Sequence, residues 1–372
     1  MSQLHPLRSE DDVVVSDTRV VKTTYVDPPI IVKRDMPTTP AIRREVEAHR
    51  QAIANIMHGR DPRFLLIAGP CSIFNERGTL EFAKSFKDLA DHVSKTMLLV
   101  MRAPPDKPRT KSTPDQWEGL IHEAFEVGKH DSVAGIRLTR KILLEVAKLG
   151  VPVAIEFLDN RRPRYFNDIM TFSWTGARTN QNGGLRRQNC GLNWPVAIKN
   201  GNTGELKSAL DAIDSANHPN YFDAINDFGN MVNVDAVGNP DACLIMRGGE
   251  TYAARNFNFE SVQKAQRCLR DRALLDYVII DSAHGNSLNE HGQKDHMLQL
   301  EVFDSTLAQW LAGNKKVGGM VEAYLKAGNQ KTGLGTVLAE LPYDRSPTDP
   351  TISLDQLTAL VLGAHEKILA ER

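Results

Sequence analysis

The chain has no long apolar run, few cysteines and almost no net charge, and each shortage excludes something. No apolar stretch in its 372 residues comes near the ~18 that a membrane-spanning helix requires, so no membrane partner is expected. The opening "MSQLHPLRSEDDVVVS" lacks the apolar core of a secretory leader, so no signal peptide is expected. The four cysteines, Cys71, Cys190, Cys243 and Cys268, include no C-x-x-C pair and are too few for a disulfide framework. A reducing, cytoplasmic setting follows. With 45 Lys and Arg against 46 Asp and Glu, the formal charge is −1, and no global field recruits nucleic acid. The phosphate-binding G-x-x-x-x-G-K-[ST] loop, the Rossmann fingerprint and the G-x-S-x-G elbow are all absent. What is present, 41% hydrophobic and 24% charged residues, is ordinary for a globular chain.

Eight short apolar runs give the chain its organisation: "FLLIA" (64–68), "MLLVM" (97–101), "VPVAIEF" (151–157), "TFSWTGA" (171–177), "PVAIK" (195–199), "ACLIM" (242–246), "YVIID" (277–281) and "VGGMVEA" (317–323). Helical patterns such as "TLEFAKSFKDLADHVS" and "LTRKILLEVAKLG" separate most of them. Near-continuous apolar strands are buried on both faces, which requires a parallel sheet covered by helices. Eight of them alternating with helices predict an α/β fold, a (β/α)8 TIM barrel, rather than an open doubly wound sheet. Residues 1–45 read as an N-terminal extension with two β-like runs, "DVVVS" (12–16) and "PPIIVK" (28–33); residues 46–372 read as the barrel. A helix begins with Thr39 as N-cap and Pro40 in its first turn, and ends at Gly59. Residues 219–241 predict an extra hairpin before the sixth strand, and long loops after the second, fourth and eighth strands point to the catalytic face.

The residues just past the eight strands are Cys71, Arg102, Glu156, Arg178, Lys199, Arg247, His284 and Glu322, every one ionisable or metal-binding. Arg102, Lys107, Arg109, Arg178, Lys199 and Arg247 form a cationic group. Buried cations need anionic partners, so several at one mouth imply a small ligand bearing phosphate and carboxylate. Cys71, His284 and Glu322, with Asp349 in the last loop, form a mixed donor set of the kind a divalent transition metal takes, although they come from four separate loops and no local spacing marks them.

The motifs "AGPCSI", "KPRT" (107–110), "EFLD", "GART", "KNG", "RGG", "IDSAHGNS", "MVE", "GNQ" (328–330) and "SPTD" (346–349) fall in order on these strand ends. The chain thereby resembles the type I 3-deoxy-D-arabino-heptulosonate 7-phosphate (DAHP) synthases. The resemblance implies condensation of phosphoenolpyruvate with erythrose 4-phosphate, the first step of the shikimate route to aromatic amino acids. It implies a divalent metal (Mn, Fe, Co or Zn) on Cys71, His284, Glu322 and Asp349, with no organic cofactor. Arg102, Lys107, Arg178, Lys199 and Arg247 match the phosphoenolpyruvate site, and Lys107, Pro108, Arg109 and Thr110 the loop that meets the aldose phosphate. Lys107, His284 and Glu156 are the catalytic candidates, and a homodimer or homotetramer is the family expectation.

Some positions depart from the family pattern. Phe74-Asn75 stand where His-Asp is usual, Leu185 replaces a histidine, and Ala323-Tyr324 replace Ser-His. These departures keep two alternatives open: a paralogue that condenses phosphoenolpyruvate with a different aldehyde, and a catalytically silent regulatory relative. Phe74 and Asn75 mark where an altered aldehyde site is expected. Family members often bind an aromatic amino acid beside a barrel flank that here reads "NRRPRY" (160–165); its arginines make ordinary feedback binding unexpected.

Overall fold

A computed structural model describes residues 17–109 and 113–371. The barrel strands are β1 (Phe64–Gly69), β2 (Met97–Arg102), β3 (Val153–Glu156), β4 (Phe172–Thr175), β5 (Val196–Lys199), β8 (Ala242–Met246), β9 (Val278–Asp281) and β10 (Val317–Tyr324). They pair in parallel in that order, and β1 pairs with β10 to close the ring, giving the expected (β/α)8 barrel. The predicted hairpin is β6 (Asn220–Ile225) against β7 (Met231–Ala236), antiparallel and separate from the ring. A two-residue strand, β11 (Ile352–Ser353), adds to β10 outside the ring.

Side chains alternate along each strand, and the two sets bury into different cores. Leu65 and Ile67 of β1, Val100, Ala154, Trp174, Ala197, Cys243 and Ile245, Ile279 and Met320 pack together in the barrel interior. Phe64, Leu66 and Ala68, with their counterparts on the other strands, pack against the surrounding helices. Among those helices are α3 (Glu76–Val93), α4 (Ser132–Lys148) and the later helices Leu298–Leu311 and Leu354–Ala370. Counting by two from the interior set reaches Cys71, Arg102, Glu156, Arg178, Lys199, Arg247, Asp281 and Glu322. This period carries the chemistry at the strand ends inward.

The helix α2 (Pro40–Met57) begins as expected, with the Thr39 hydroxyl accepting from the Ile42 amide. Its Ile53, Ile56 and Met57 join the interior core. The run at 28–33 is not extended: Pro29–Asp35 form the helix α1, with Pro29 in its first turn. Three apolar residues in a row fit a strand or a buried helical turn equally, and a proline with preset φ favours the helical start. The β-like run at 12–16 lies outside the described residues.

Candidate active site

The strand ends open into a cavity of about 490 Å³ lined by Cys71, Arg102, Glu156, Arg178, Arg247, His284 and Glu322. Lys107, Pro108 and Arg109 enter it from the loop after β2, and Asp349 enters from the loop before β11. Lys199 is buried beside this cavity rather than on its lining, and Thr110 lies outside the described residues. Two glycines shape the mouth. Gly69, at φ +148°, ends β1 where a Cβ would stand 2.8 Å from the Arg102 carbonyl oxygen. At Gly176 a Cβ would stand 2.1 Å from Glu156 Oε1.

Three donor groups meet in one corner. The Cys71 sulfur and one carboxylate oxygen each from Glu322 and Asp349 lie within 4.8 Å of one another. His284 adjoins them, its Nε2 3.8 Å from Glu322 Oε1 and its Nδ1 3.0 Å from Asp281 Oδ2. His284 has φ +57°, a left-handed conformation uncommon for a non-glycine residue. The Lys107 ammonium sits against the corner, donating to Cys71 Sγ at 2.9 Å and to Asp349 Oδ2 at 3.0 Å. Thiolate, imidazole and carboxylates suit a divalent transition metal, and the atoms already hold one positive charge. The residues present therefore fit the metal that the sequence implies.

Three of the carboxylates here are held by cations. Arg102 donates to Glu322 Oε1 at 2.7 Å, Lys199 to Asp281 Oδ2 at 2.9 Å, and Lys294 reaches Asp349 Oδ2 at 2.7 Å. Burial pushes the Glu322 carboxyl up, but His284, Arg102 and Lys107 outweigh it and hold it below its ordinary value. Burial likewise opposes Asp349 and Asp281, yet Lys107 and Lys294 hold the first, and His284 and Lys199 the second, well below the usual carboxylate range. Burial and the Glu322 charge push the Cys71 thiol up, against Lys107. Burial brings His284 down to about 4, against the pull of Asp281. For Lys107 burial alone would lower the value; Asp349, Cys71 and Glu322 raise it above the ordinary range.

The cationic side is built for an anion. Arg247 is buried, and its Nη1 has no hydrogen-bond partner among the described residues. Arg247 also lines the cavity, and a buried guanidinium with an unpaired nitrogen at a cavity wall suits an anionic ligand. Arg109 donates Nε and Nη2 to the Trp117 carbonyl, at 3.0 and 2.6 Å. Trp174 organises the floor: its Nε1 donates to Glu156 Oε2 at 2.8 Å, and its ring faces Arg102 at 4.9 Å and Lys199 at 5.6 Å.

Sequence reasoning missed Asp281, Lys294 and Trp174. The two-residue period of β9 points to Asp281, since Ile279 faces the interior. Lys294 comes from the turn between Leu288 and Lys294, which bridge each other, and no strand-end rule reaches it. The departures from the family pattern lie elsewhere than expected. Phe74, Leu185, Ala323 and Tyr324 are buried, Asn75 caps α3, and none of the five lines the cavity.

A closed parallel barrel whose mouth gathers a buried arginine beside a Cys71–Glu322–Asp349 corner has the architecture of a barrel enzyme. The chain belongs to the DAHP synthetase I family, whose family model matches residues 36–361. It is similar to the Tyr-sensitive phospho-2-dehydro-3-deoxyheptonate aldolase of Escherichia coli (strain K12), with 35% identity over 359 residues and 96% of each chain covered. It is also similar to the phospho-2-dehydro-3-deoxyheptonate aldolase of Haemophilus influenzae, with 33% identity and 97% of each chain covered. The solved structure of the corresponding aldolase from Francisella tularensis SCHU S4 superposes with a TM-score of 0.86 at 30% identity, covering 95% of this chain and 99% of that one.

Proposed function

We propose that the chain condenses phosphoenolpyruvate with erythrose 4-phosphate to give 3-deoxy-D-arabino-heptulosonate 7-phosphate and inorganic phosphate. The observation that carries this reading is that one cavity is lined both by Arg247, whose guanidinium has an unpaired nitrogen, and by the Cys71–Glu322–Asp349 corner. Cys71, His284, Glu322 and Asp349 would hold a divalent metal, which when bound supplies Lewis-acid polarisation of an aldehyde oxygen. Arg247 and Arg178 take the phosphate and carboxylate of the enol phosphate, with Arg102 and Lys199 adding positive field from below. Arg109, fixed on the Trp117 carbonyl, serves the aldose phosphate. C3 of the enol phosphate attacks the aldehyde carbon, and the new alkoxide oxygen takes its proton from the Lys107 ammonium. Water adds at C2, with the Glu156 carboxylate as the base that accepts its first proton; as the C2–O bond to phosphate breaks, the C2 hydroxyl gives its remaining proton to the departing phosphate and the keto group forms. No group other than side chains and the metal is required.

The alternative with a different aldehyde would be favoured by an altered cavity lining. Phe74, Asn75, Leu185, Ala323 and Tyr324 stand outside that lining, which supports erythrose 4-phosphate. All four donor positions are kept, which counts against a silent relative. Phosphate release from phosphoenolpyruvate, measured across a panel of aldose phosphates with and without Mn²⁺, tests the reading. The expected result is metal-dependent release with erythrose 4-phosphate as the preferred partner. Release only with another aldose, or none with any, overturns it.

A further inference from the structure

Two side chains that depart from the family pattern converge on one backbone oxygen. Tyr324 Oη donates to the Tyr343 carbonyl at 3.0 Å, and Asn75 Nδ2 donates to the same oxygen at 3.2 Å. Tyr324 lies two residues beyond Glu322, Asn75 four beyond Cys71, and Tyr343 six before Asp349. One carbonyl thus ties together the three segments that carry the clustered donors. Asn75 serves twice, since its Oδ1 also accepts from the Gly78 amide at 2.7 Å to cap α3.

The surroundings are fitted to this junction. The Tyr324 ring is buried beside Phe74 (centroids 6.3 Å apart) and stacks on Phe82. The Arg77 guanidinium lies 3.8 Å from the centre of the Tyr343 ring. At Gly78 a Cβ would stand 2.2 Å from Tyr324 Oη and 2.3 Å from the Tyr343 oxygen, so only glycine leaves room. The far end of the same loop is held by the β10–β11 pairing of Tyr324 with Ser353 and by Asn329, whose Nδ2 donates to the Thr348 carbonyl at 2.7 Å.

Glu322 lies in the barrel ladder opposite Gly69, and Cys71 follows only two residues past the end of β1. Asp349 belongs to no strand, and its place against them depends on how its loop is fastened to β1 and β10. We propose that Asn75 and Tyr324 are positioning residues, a two-donor latch that holds the Asp349 loop in register with Cys71 and Glu322 for metal binding. This rests on the metal reading of that corner. Partners that orient a ligand without touching the metal typically change affinity by about 10- to 100-fold.

Asn75→Ser keeps an acceptor for the Gly78 amide, and Tyr324→Phe keeps the buried ring, so each removes chiefly the donor to Tyr343. The test titrates the metal-free full chain with Co²⁺, following thiolate-to-cobalt absorption. The expected result for the double variant is roughly tenfold weaker Co²⁺ binding with unchanged absorption per bound ion. In an Asp349→Ala background the same pair of substitutions is expected to change affinity by less than about twofold, because the group they position is gone. If the double variant does not fold, Tyr324→Phe alone carries the comparison, with an expected loss of about threefold. Unchanged affinity in the otherwise native chain overturns the latch, as does an equal loss in the Asp349→Ala background. A native chain that takes up no Co²⁺ with thiolate absorption overturns the metal reading itself, a result distinct from either.

Discussion

Replacing Asp281 by asparagine isolates one charge at the base of the site. Asp281 is fully buried; its Oδ2 accepts from Lys199 at 2.9 Å and faces His284 Nδ1 at 3.0 Å, and its Oδ1 accepts from the Ala283 amide at 3.1 Å. Asparagine keeps the volume and the Oδ1 acceptor and removes the charge. Lys199, with 4% of its side chain exposed, is then a buried ammonium without an anion. Breaking a buried pair from one side costs about 3–5 kcal/mol. The Trp174 face, 5.6 Å from Lys199, is present in both proteins and does not offset the loss. Urea unfolding at pH 7 should therefore show the variant less stable by about 3 kcal/mol. The sign with pH follows from the depressed Asp281 value: its contribution is complete above the unfolded carboxylate value and is lost as pH falls through the lower folded one. The gap between the two proteins should thus stay constant from about pH 8 to pH 5 and close only in stronger acid. Metal affinity should also fall by up to about tenfold, since the carboxylate 3.0 Å from His284 Nδ1 loses its charge. A stability loss below about 1 kcal/mol would refute the assignment of Asp281 as the counter-charge of Lys199.

Arg247→Met should raise the phosphoenolpyruvate KM by about tenfold or more, the scale of a lost charged hydrogen bond, without lowering the unfolding midpoint, because the orphaned Nη1 leaves with it; steady-state kinetics beside thermal melts checks both. Cys71→Ala should abolish the phosphate release that a chelator also abolishes, while circular dichroism stays native; turnover at saturating Mn²⁺ in that variant would remove Cys71 from the donor set. His49→Gln should flatten the acid limb of stability. Burial, with Lys87 and Arg63, brings His49 from 6.5 to about 4, so the folded chain loses stability as pH drops through that window, on the order of 2 kcal/mol by pH 4.5. Urea midpoints at pH 7 and pH 4.5 for both proteins give the difference.

The barrel was legible because its strands are buried on both faces, so "FLLIA" and "YVIID" read as strands without tertiary information. The cavity residues were legible because barrel strands deliver their ends to one mouth. Asp281 was passed over for His284 because the motif drew attention past the strand's last inward residue. Lys294 was not readable at all: a turn of seven residues brings it to Asp349, and turn geometry sets that reach. Phe74 and Asn75 were read as marking an altered aldehyde site because they replace the family's usual His-Asp. In the fold the chain turns after Ile73, sending Phe74 into the apolar layer and Asn75 to the start of α3.

The two-residue period that carries the interior core into the site also sets a rule for tolerated change. Deleting one residue from β1, Ala68 for instance, would leave composition and hydrophobicity almost untouched, yet turn the thiol outward toward the helices. Deleting two would restore its side and withdraw it by about 7 Å, beyond the reach of Glu322 and Asp349. The strand is therefore a ruler with two readings, side and height, and Cys71 has to satisfy both. The strands beneath this mouth cannot change length by even one residue without moving the donor.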